Sequence, residues 1–555
     1  MKINYLAGIL FLIGIASFTT SCRQSTSTDN QAAIAQKLIG VEFGSKAIDT
    51  LAPYLDRNLA GFDSMRQVSL DESVMPALQF NVFPQGFILP KGESSFALGI
   101  APAEDLPTDP DSIAFLHIRE LARLIRAGKI TSRELTELYI GRLKKFDPVL
   151  HCVITLLEDH ALAQADRADE ELAAGKDRGL LHGIPYGIKD LFSLPGYPTT
   201  WGAEPYRDQV LEEKATVIQK LEDAGAVLVA KLVSGALARG DVWFNGRTRN
   251  PWDTLQGASG SSAGSGSATA AGLVGFSIGT ETLGSITSPS NRNGVTGLRP
   301  TYGRVSRYGC MSLSWSMDKV GPICRSATDC AIVLNAIYGA DRHDPSLIEA
   351  PFVYPPSAEP QQMRVGLLRK ELSEDTTAAG QNMERALAVL EQEGIIPVPV
   401  RLPETIAREA YDVILRAEAG AFFDELVLSG EVDKMVQQGK RSRANSLRQA
   451  RFIPAVEYIQ ANRHRALLIQ RMHELMVNFE VIITLSGGKQ LLYTNLTGHP
   501  CVTLPTGFDE KGHPTSMTLI GNLFDEASIL AFAEMYQALT IFDEQIPPGF
   551  IKKVL

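Results

Sequence analysis

Cysteine is scarce in this chain, with six among 555 residues. Setting Cys22 aside, the other five (Cys152, Cys310, Cys324, Cys330 and Cys501) form an odd, widely spaced set, which excludes a disulfide framework. No CxxC or HExxH pattern occurs and the nine histidines show no ligand spacing, so no metal site is signalled. Positive charge is also short: 53 Lys and Arg stand against 63 Asp and Glu, a net charge of −10. That balance excludes nucleic acid as the main partner, since phosphate binding needs a cationic face. No apolar run reaches bilayer length, no internal repeat is visible, and no Pro/Ser-rich linker follows residue 110. What remains is globular: 45% hydrophobic, 21% charged, with 47 Gly and 30 Pro. The length suits one large α/β domain or about two to four small ones.

The first residues read as an address. Lys2 precedes an apolar run at residues 6–18, too short to span a bilayer but right for a signal sequence. Thr19, Thr20 and Ser21 follow, then Cys22. This arrangement resembles the lipobox of bacterial lipoproteins, with Thr19 in place of the usual leucine. It implies a lipid anchor at Cys22 and a protein held to a membrane in the cell envelope. Residues 1–22 are therefore expected to be a signal peptide ending in the lipidated cysteine. Residues 23–110 are expected to be a tether and an irregular arm, and residues 111–555 the main domain.

From residue 112 the pattern sharpens. Phe115, Ile118, Leu121 and Ile125 recur at helical spacing, and Thr131 with Glu134 forms a capping box for a second helix. Strands at 153–156, 186–188, 226–229 and 274–278 alternate with helices at 159–174, 216–224 and 265–271. That alternation predicts an α/β fold with a largely parallel sheet, whose sites lie beyond the strand C-termini. Residues 376–473 read as a helix-rich lid or insertion, and 481–484 and 501–504 as strands returning to the sheet.

Three segments carry chemistry. Residues 183–190 (GIPYGIKD) put Lys189 at the end of a buried strand, where desolvation lowers a lysine pKa; the plain alternative is an exposed lysine paired with Asp190. Residues 257–267 (GASGSSAGSGS) crowd hydroxyls and free N–H groups just before a helix. Residues 279–289 (GTETLGSITSP) end a strand in a small-residue turn that presents Ser285 beneath successive N–H groups.

In this order the three segments resemble the GIPxxxKD, GGSSGGS and GTDTGGSIRxPA boxes of the amidase signature family, and the likeness extends over residues 112–540. The resemblance implies a large mixed twisted sheet covered by helices on both faces. It also implies a Ser-cisSer-Lys triad: Ser285 as nucleophile, Ser261 in a cis peptide as bridge, Lys189 as general base. The N–H groups of Thr282, Leu283, Gly284 and Ser285 would form the oxyanion hole, with Ser262 in support and no cofactor. The implied reaction is hydrolysis of a carboxamide C–N bond in a small-molecule or peptide amide.

The chain departs from these boxes in several places. Glu281 replaces Asp, Leu283 replaces Gly, Thr287 replaces Arg and Ala263 replaces Gly. The family's GKTNxxE segment appears as residues 230–236 (AKLVSGA), with Ala236 where the acidic residue stands. Rival patterns are weaker. Residues 260–264 match the GxSxG elbow around Ser262, but loop-like residues 250–254 precede them. Ser316 with Lys319 matches SxxK, and Tyr493 with Asn495 matches YxN, but no KTG strand follows. The Gly/Ser run lacks the Gly-Lys-Ser/Thr ending of a phosphate loop. The basic run at 440–443 reads as a solvated face. Two functional alternatives stand beside the amidase reading: the glutamine-hydrolysing subunit of tRNA-dependent amidotransferases, which residues 300–308 resemble closely, and a catalytically impaired amidase-fold binding protein.

Overall fold

The computed structural model describes residues 35–40, 78–99 and 109–551, with scattered single positions at 44–74 and 107. The chain divides into two compact units, 1–74 and 75–555. In the first, residues 35–39 are helical. The signal-sequence run and Cys22 lie outside the described residues. All that follows concerns the second unit.

Its centre is an eleven-stranded sheet. In chain order the strands are β1 (Val153–Leu156), β2 (Pro185–Lys189), β3 (Val227–Leu232), β4 (Phe276–Glu281), β5 (Thr296–Arg299) and β6 (Lys319–Cys324). They continue with β7 (Val365–Leu367), β8 (Val398–Pro399), β9 (Val481–Leu485), β10 (Cys501–Phe508) and β11 (Pro514–Gly521). In space they run β8-β7-β9-β11-β10-β5-β6-β4-β2-β3-β1. Every residue of β2, β3, β4, β5 and β6 is buried, which requires helices on both faces.

The largely parallel sheet expected from the alternation is not what forms. Parallel pairing joins β3, β2 and β4, and again β8, β7 and β9. The strands between these two groups, and β1 at the edge, pair antiparallel. The cause is connection type. Helices cross over between β2 and β3 and between β3 and β4, whereas β10 and β11 are joined by a tight turn in which Asp509 accepts from His513 N–H.

The expected insertion at 376–473 also divides. Helix Ala378–Gln392 is the crossover between β7 and β8 and belongs to the sheet layer. Only the later helices, Arg408–Phe422, Asp424–Leu428, Arg443–Ala450 and Ala455–Met476, form a separate layer. The first three pack on Leu191, Trp201, Leu237, Met311 and Leu313, residues in loops beyond the strand ends, and Ala455–Met476 packs in a cluster with Met317, Ile482, Leu492 and Ile520. The capping box holds as expected: Thr131 Oγ1 accepts from Glu134 N–H at 3.0 Å and Glu134 Oε2 from Thr131 N–H at 2.8 Å. Residues of the irregular arm lie on this unit, with Phe80 edge-on to Tyr302 and Phe83 against Phe524.

Candidate active site

Lys189 ends β2, a strand with parallel neighbours on both sides, and its side chain is fully buried. Nζ donates to Ser261 Oγ and to Thr280 Oγ1, each at 2.8 Å. Burial brings its pKa down to about 7, with Cys310, Asp318 and Glu281 pulling it only partly back. The plain alternative of a Lys189–Asp190 pair is not formed. Asp190 is taken by Lys231 of β3 at 2.8 Å and by the Thr200 N–H and hydroxyl. Lys189 is thus left among hydroxyls, without a carboxylate.

Ser261 lies in the turn between a short strand, Asp253–Gly257, and the helix Ala263–Ala270. The Gly260–Ser261 peptide is cis. A side chain at Gly260 has no room, because a Cβ there would sit 2.0 Å from the Gly240 carbonyl oxygen. The Ser261 carbonyl accepts from Gly235 N–H at 3.1 Å. Ser262 fixes the turn to β4: its Oγ donates to the Thr280 carbonyl and accepts from Thr280 N–H, both at 3.2 Å. Its own N–H donates to the Ser285 carbonyl at 3.2 Å.

The turn after β4 is built around Glu281. Its Oε2 accepts from the Ile286 and Thr287 N–H groups at 2.9 Å each, folding the chain back on itself. Its Oε1 accepts from Arg299 and from Asn495, each at 2.8 Å. Burial, which raises a carboxyl pKa, is outweighed by Arg299 and these donors, and Glu281 stays ionised with a pKa of about 2. Thr282 Oγ1 donates to Asp318 at 2.5 Å, and Asp318 in turn accepts from Leu313 and Ser314 N–H at 2.7 and 2.9 Å. Gly284 has φ +89° and Leu283 keeps a negative φ. Leu283 packs against the apolar cluster that contains Met317, Leu468 and Leu492. Among the described residues, the N–H groups of Leu283, Gly284 and Ser285 donate to nothing. The Ser285 hydroxyl makes no hydrogen bond there either, and the residue is 8% exposed.

Lys189 and Ser261 are therefore brought into direct contact. Ser285 joins them through the Ser262 N–H rather than through a Ser261–Ser285 hydroxyl bond. Four partners escaped the sequence reading: Thr280, Asp318, Arg299 and Lys231. Thr280 lay inside the quoted box. Asp318 and Arg299 stood in family-like text downstream, with nothing local to mark them.

The rival serines are occupied. The Ser262 hydroxyl is committed to the β4 backbone, and a short strand outside the main sheet precedes its turn where loop was expected. Ser316 Oγ donates to Glu418 at 2.7 Å and accepts from Arg465 at 2.8 Å, while Lys319 Nζ bonds the Met317 carbonyl instead. Asn495 of the YxN pattern serves Glu281. His182 is buried and accepts from Arg178 N–H. Among the described residues no cluster of three metal-ligating side chains occurs.

The Amidase family model matches residues 134–488. Curated relatives include a glutamyl-tRNA(Gln) amidotransferase subunit of Halorhodospira halophila, 34% identical over 485 residues, covering 78% of this chain and 99% of that protein. Its counterpart from Chloroflexus aurantiacus is 34% identical over 476 residues, covering 76% and 96%. Among solved structures, the native peptide amidase of Stenotrophomonas maltophilia superposes with a TM-score of 0.69 at 28% identity, covering 80% of this chain and all of that one. An amidase family protein from Bacillus anthracis gives 0.71 at 22% identity, over 79% and 93%, a likeness of fold alone. The chain belongs to the amidase signature family. It is an amidase-family hydrolase acting on carbon–nitrogen bonds.

Proposed function

We propose that this protein hydrolyses a carboxamide through Ser285, Ser261 and Lys189. The observation that carries this reading is the buried contact of Lys189 Nζ with Ser261 Oγ at 2.8 Å, at a lysine with a pKa of about 7. A neutral Lys189 takes a proton from Ser261 as Ser261 takes one from Ser285. Ser285 Oγ attacks the amide carbon, and the N–H groups of the 282–285 turn hold the oxyanion. Collapse of the tetrahedral intermediate breaks the C–N bond, and the proton held at Lys189 returns through Ser261 to the leaving nitrogen. Water then enters by the same relay and releases the acid. The missing Ser261–Ser285 hydroxyl bond is closed by rotation of the Ser285 side chain when substrate occupies the turn.

Two substrate classes compete for the site. The relatives named as amidotransferase subunits favour the glutamine side-chain amide, because their full length aligns at 34% identity. The peptide amidase likeness and the export-type first residues favour an envelope amidase acting on other linear amides. We favour a protein of the envelope, anchored by lipid at Cys22, with its substrate among the amides available there. The test is ammonia or amine release from glutamine, peptide C-terminal amides and aryl amides, with Ser285→Ala alongside. Turnover of at least one amide, abolished in Ser285→Ala, is expected. Turnover that survives this substitution overturns the assignment, and glutamine as the sole substrate selects the amidotransferase-type reading.

A further inference from the structure

Among the buried arginines of the described residues, Arg443 is exceptional. Arg142, Arg299, Arg304 and Arg307 each face a carboxylate. Arg325 and Arg465 have no carboxylate, but every guanidinium nitrogen is bonded. Arg443 is 5% exposed and has no carboxylate within ion-pair distance. Its Nε donates to the Leu237 carbonyl at 3.0 Å and Nη2 to the Ala238 carbonyl at 3.2 Å. Its Nη1 is buried with no partner. A buried cation left in this state is strongly unfavourable unless something supplies the opposite charge.

The loop it grips borders the candidate active site. Gly235 of this loop donates to the Ser261 carbonyl, and the Gly240 carbonyl packs on Gly260. Ala236, half-buried in the same apolar cluster as Ala444, stands where the family pattern has an acidic residue. The loop also presents Arg239, exposed and without a side-chain partner among the described residues, close enough to Arg443 to depress its pKa further after burial has done so. The other charges felt by Arg443 are Asp318 and Asp412, committed to Thr282 and to Arg416.

We infer that Arg443, assisted by Arg239, is the recognition site for a carboxylate carried by the amide substrate. The substrate supplies the negative charge that the chain lacks at Ala236, and the guanidinium fork matches a planar carboxylate. This inference rests on the amide-hydrolase reading and names its substrate class.

The test uses two acyl anilides of equal length, glutaryl 4-nitroanilide and valeryl 4-nitroanilide, which differ only in the terminal carboxylate. It also uses hippurate against N-ethylbenzamide, where the carboxylate is on the amine side. The full-length protein is expected to prefer the anionic member of at least one pair by tenfold or more in kcat/KM. Arg443→Gln should collapse that ratio towards one, Arg443→Lys should keep part of it, and Arg239→Gln should lower it severalfold. Because Arg239 is exposed, its variant reads the site even where Arg443→Gln does not fold. Glutarate binding to Ser285→Ala, followed by calorimetry, separates the two readings. Binding lost in Arg239→Gln without turnover of any anilide keeps the carboxylate site and fails the hydrolase reading. Equal turnover of both members of each pair, or no glutarate binding and no turnover, overturns the inference.

Discussion

A lysine that titrates near 10.5 in water is brought to about 7 at Lys189 by burial alone. Its neutral form is the proton acceptor, so acylation should rise with pH through about 7 and level off above it. A pH profile of kcat/KM checks this, and an acid-side limb missing from pH 5 to 9 contradicts it. The same shift acts on stability. Between about 7 and 10.5 the unfolded chain holds a proton that the folded chain lacks, so this group's contribution to stability rises with pH over that window and is least below it. Lys189→Met should therefore raise Tm more at pH 6 than at pH 10, while removing turnover. Glu281 works in the opposite sense. With its folded pKa held at about 2, its contribution is full above pH 4.5 and is lost as pH falls through about 2. Glu281→Gln strands Arg299 as a buried unpaired charge, which costs about 3–5 kcal/mol; denaturant unfolding measures it. The sequence marked Lys189, Ser261 and Ser285 because hydroxyls and a lysine at strand ends form compact local patterns. It did not mark Arg299 as Glu281's partner or Lys231 as the one that takes Asp190, because those contacts are set by strand register and not by spacing.

At the scale of elements, the turn between β4 and the helix Thr287–Asn293 is held from three directions. Glu281 gathers its far end, Asp318 holds Thr282, and Leu283 packs toward the helical layer. The replacement of a glycine by Leu283 thus adds a contact without reversing the backbone. Gly284, by contrast, has φ +89°, and a Cβ there would lie 3.0 Å from Ser288 Oγ and 3.1 Å from Leu491. Gly284→Ala should destabilise the turn by about 1–3 kcal/mol and lower kcat more than it changes KM, as steady-state kinetics would show. Equal kcat in this variant argues that the turn N–H groups do not hold the oxyanion. The strands β2, β3 and β4 were legible as apolar runs. The strands β5, β6, β7, β8 and β11 were not. β5 carries Thr, Gly and Arg, β6 contains Pro322, β8 has two residues, and β11 begins at a proline in a polar stretch. Their strand character comes from partners far along the chain, which local pattern does not encode.

At the scale of the whole molecule, one mixed sheet gathers residues from 153 to 521 and sets the reacting groups at strand ends beneath a helical layer. The fold class followed from the alternation of helices and strands; the antiparallel centre did not, because connection hand and pairing direction are decided by packing. The anchor at Cys22 is a further expectation at this scale: Cys22→Ala should move the protein from the membrane fraction to the soluble one, and continued pelleting with membranes contradicts lipidation. The measurement that bears most directly on the central claim is peptide mass spectrometry of the protein after treatment with a fluorophosphonate probe. A single label on Ser285, lost in Lys189→Ala, is expected. A label on Ser262 or Ser316, or a Ser285 label undiminished without Lys189, would contradict it.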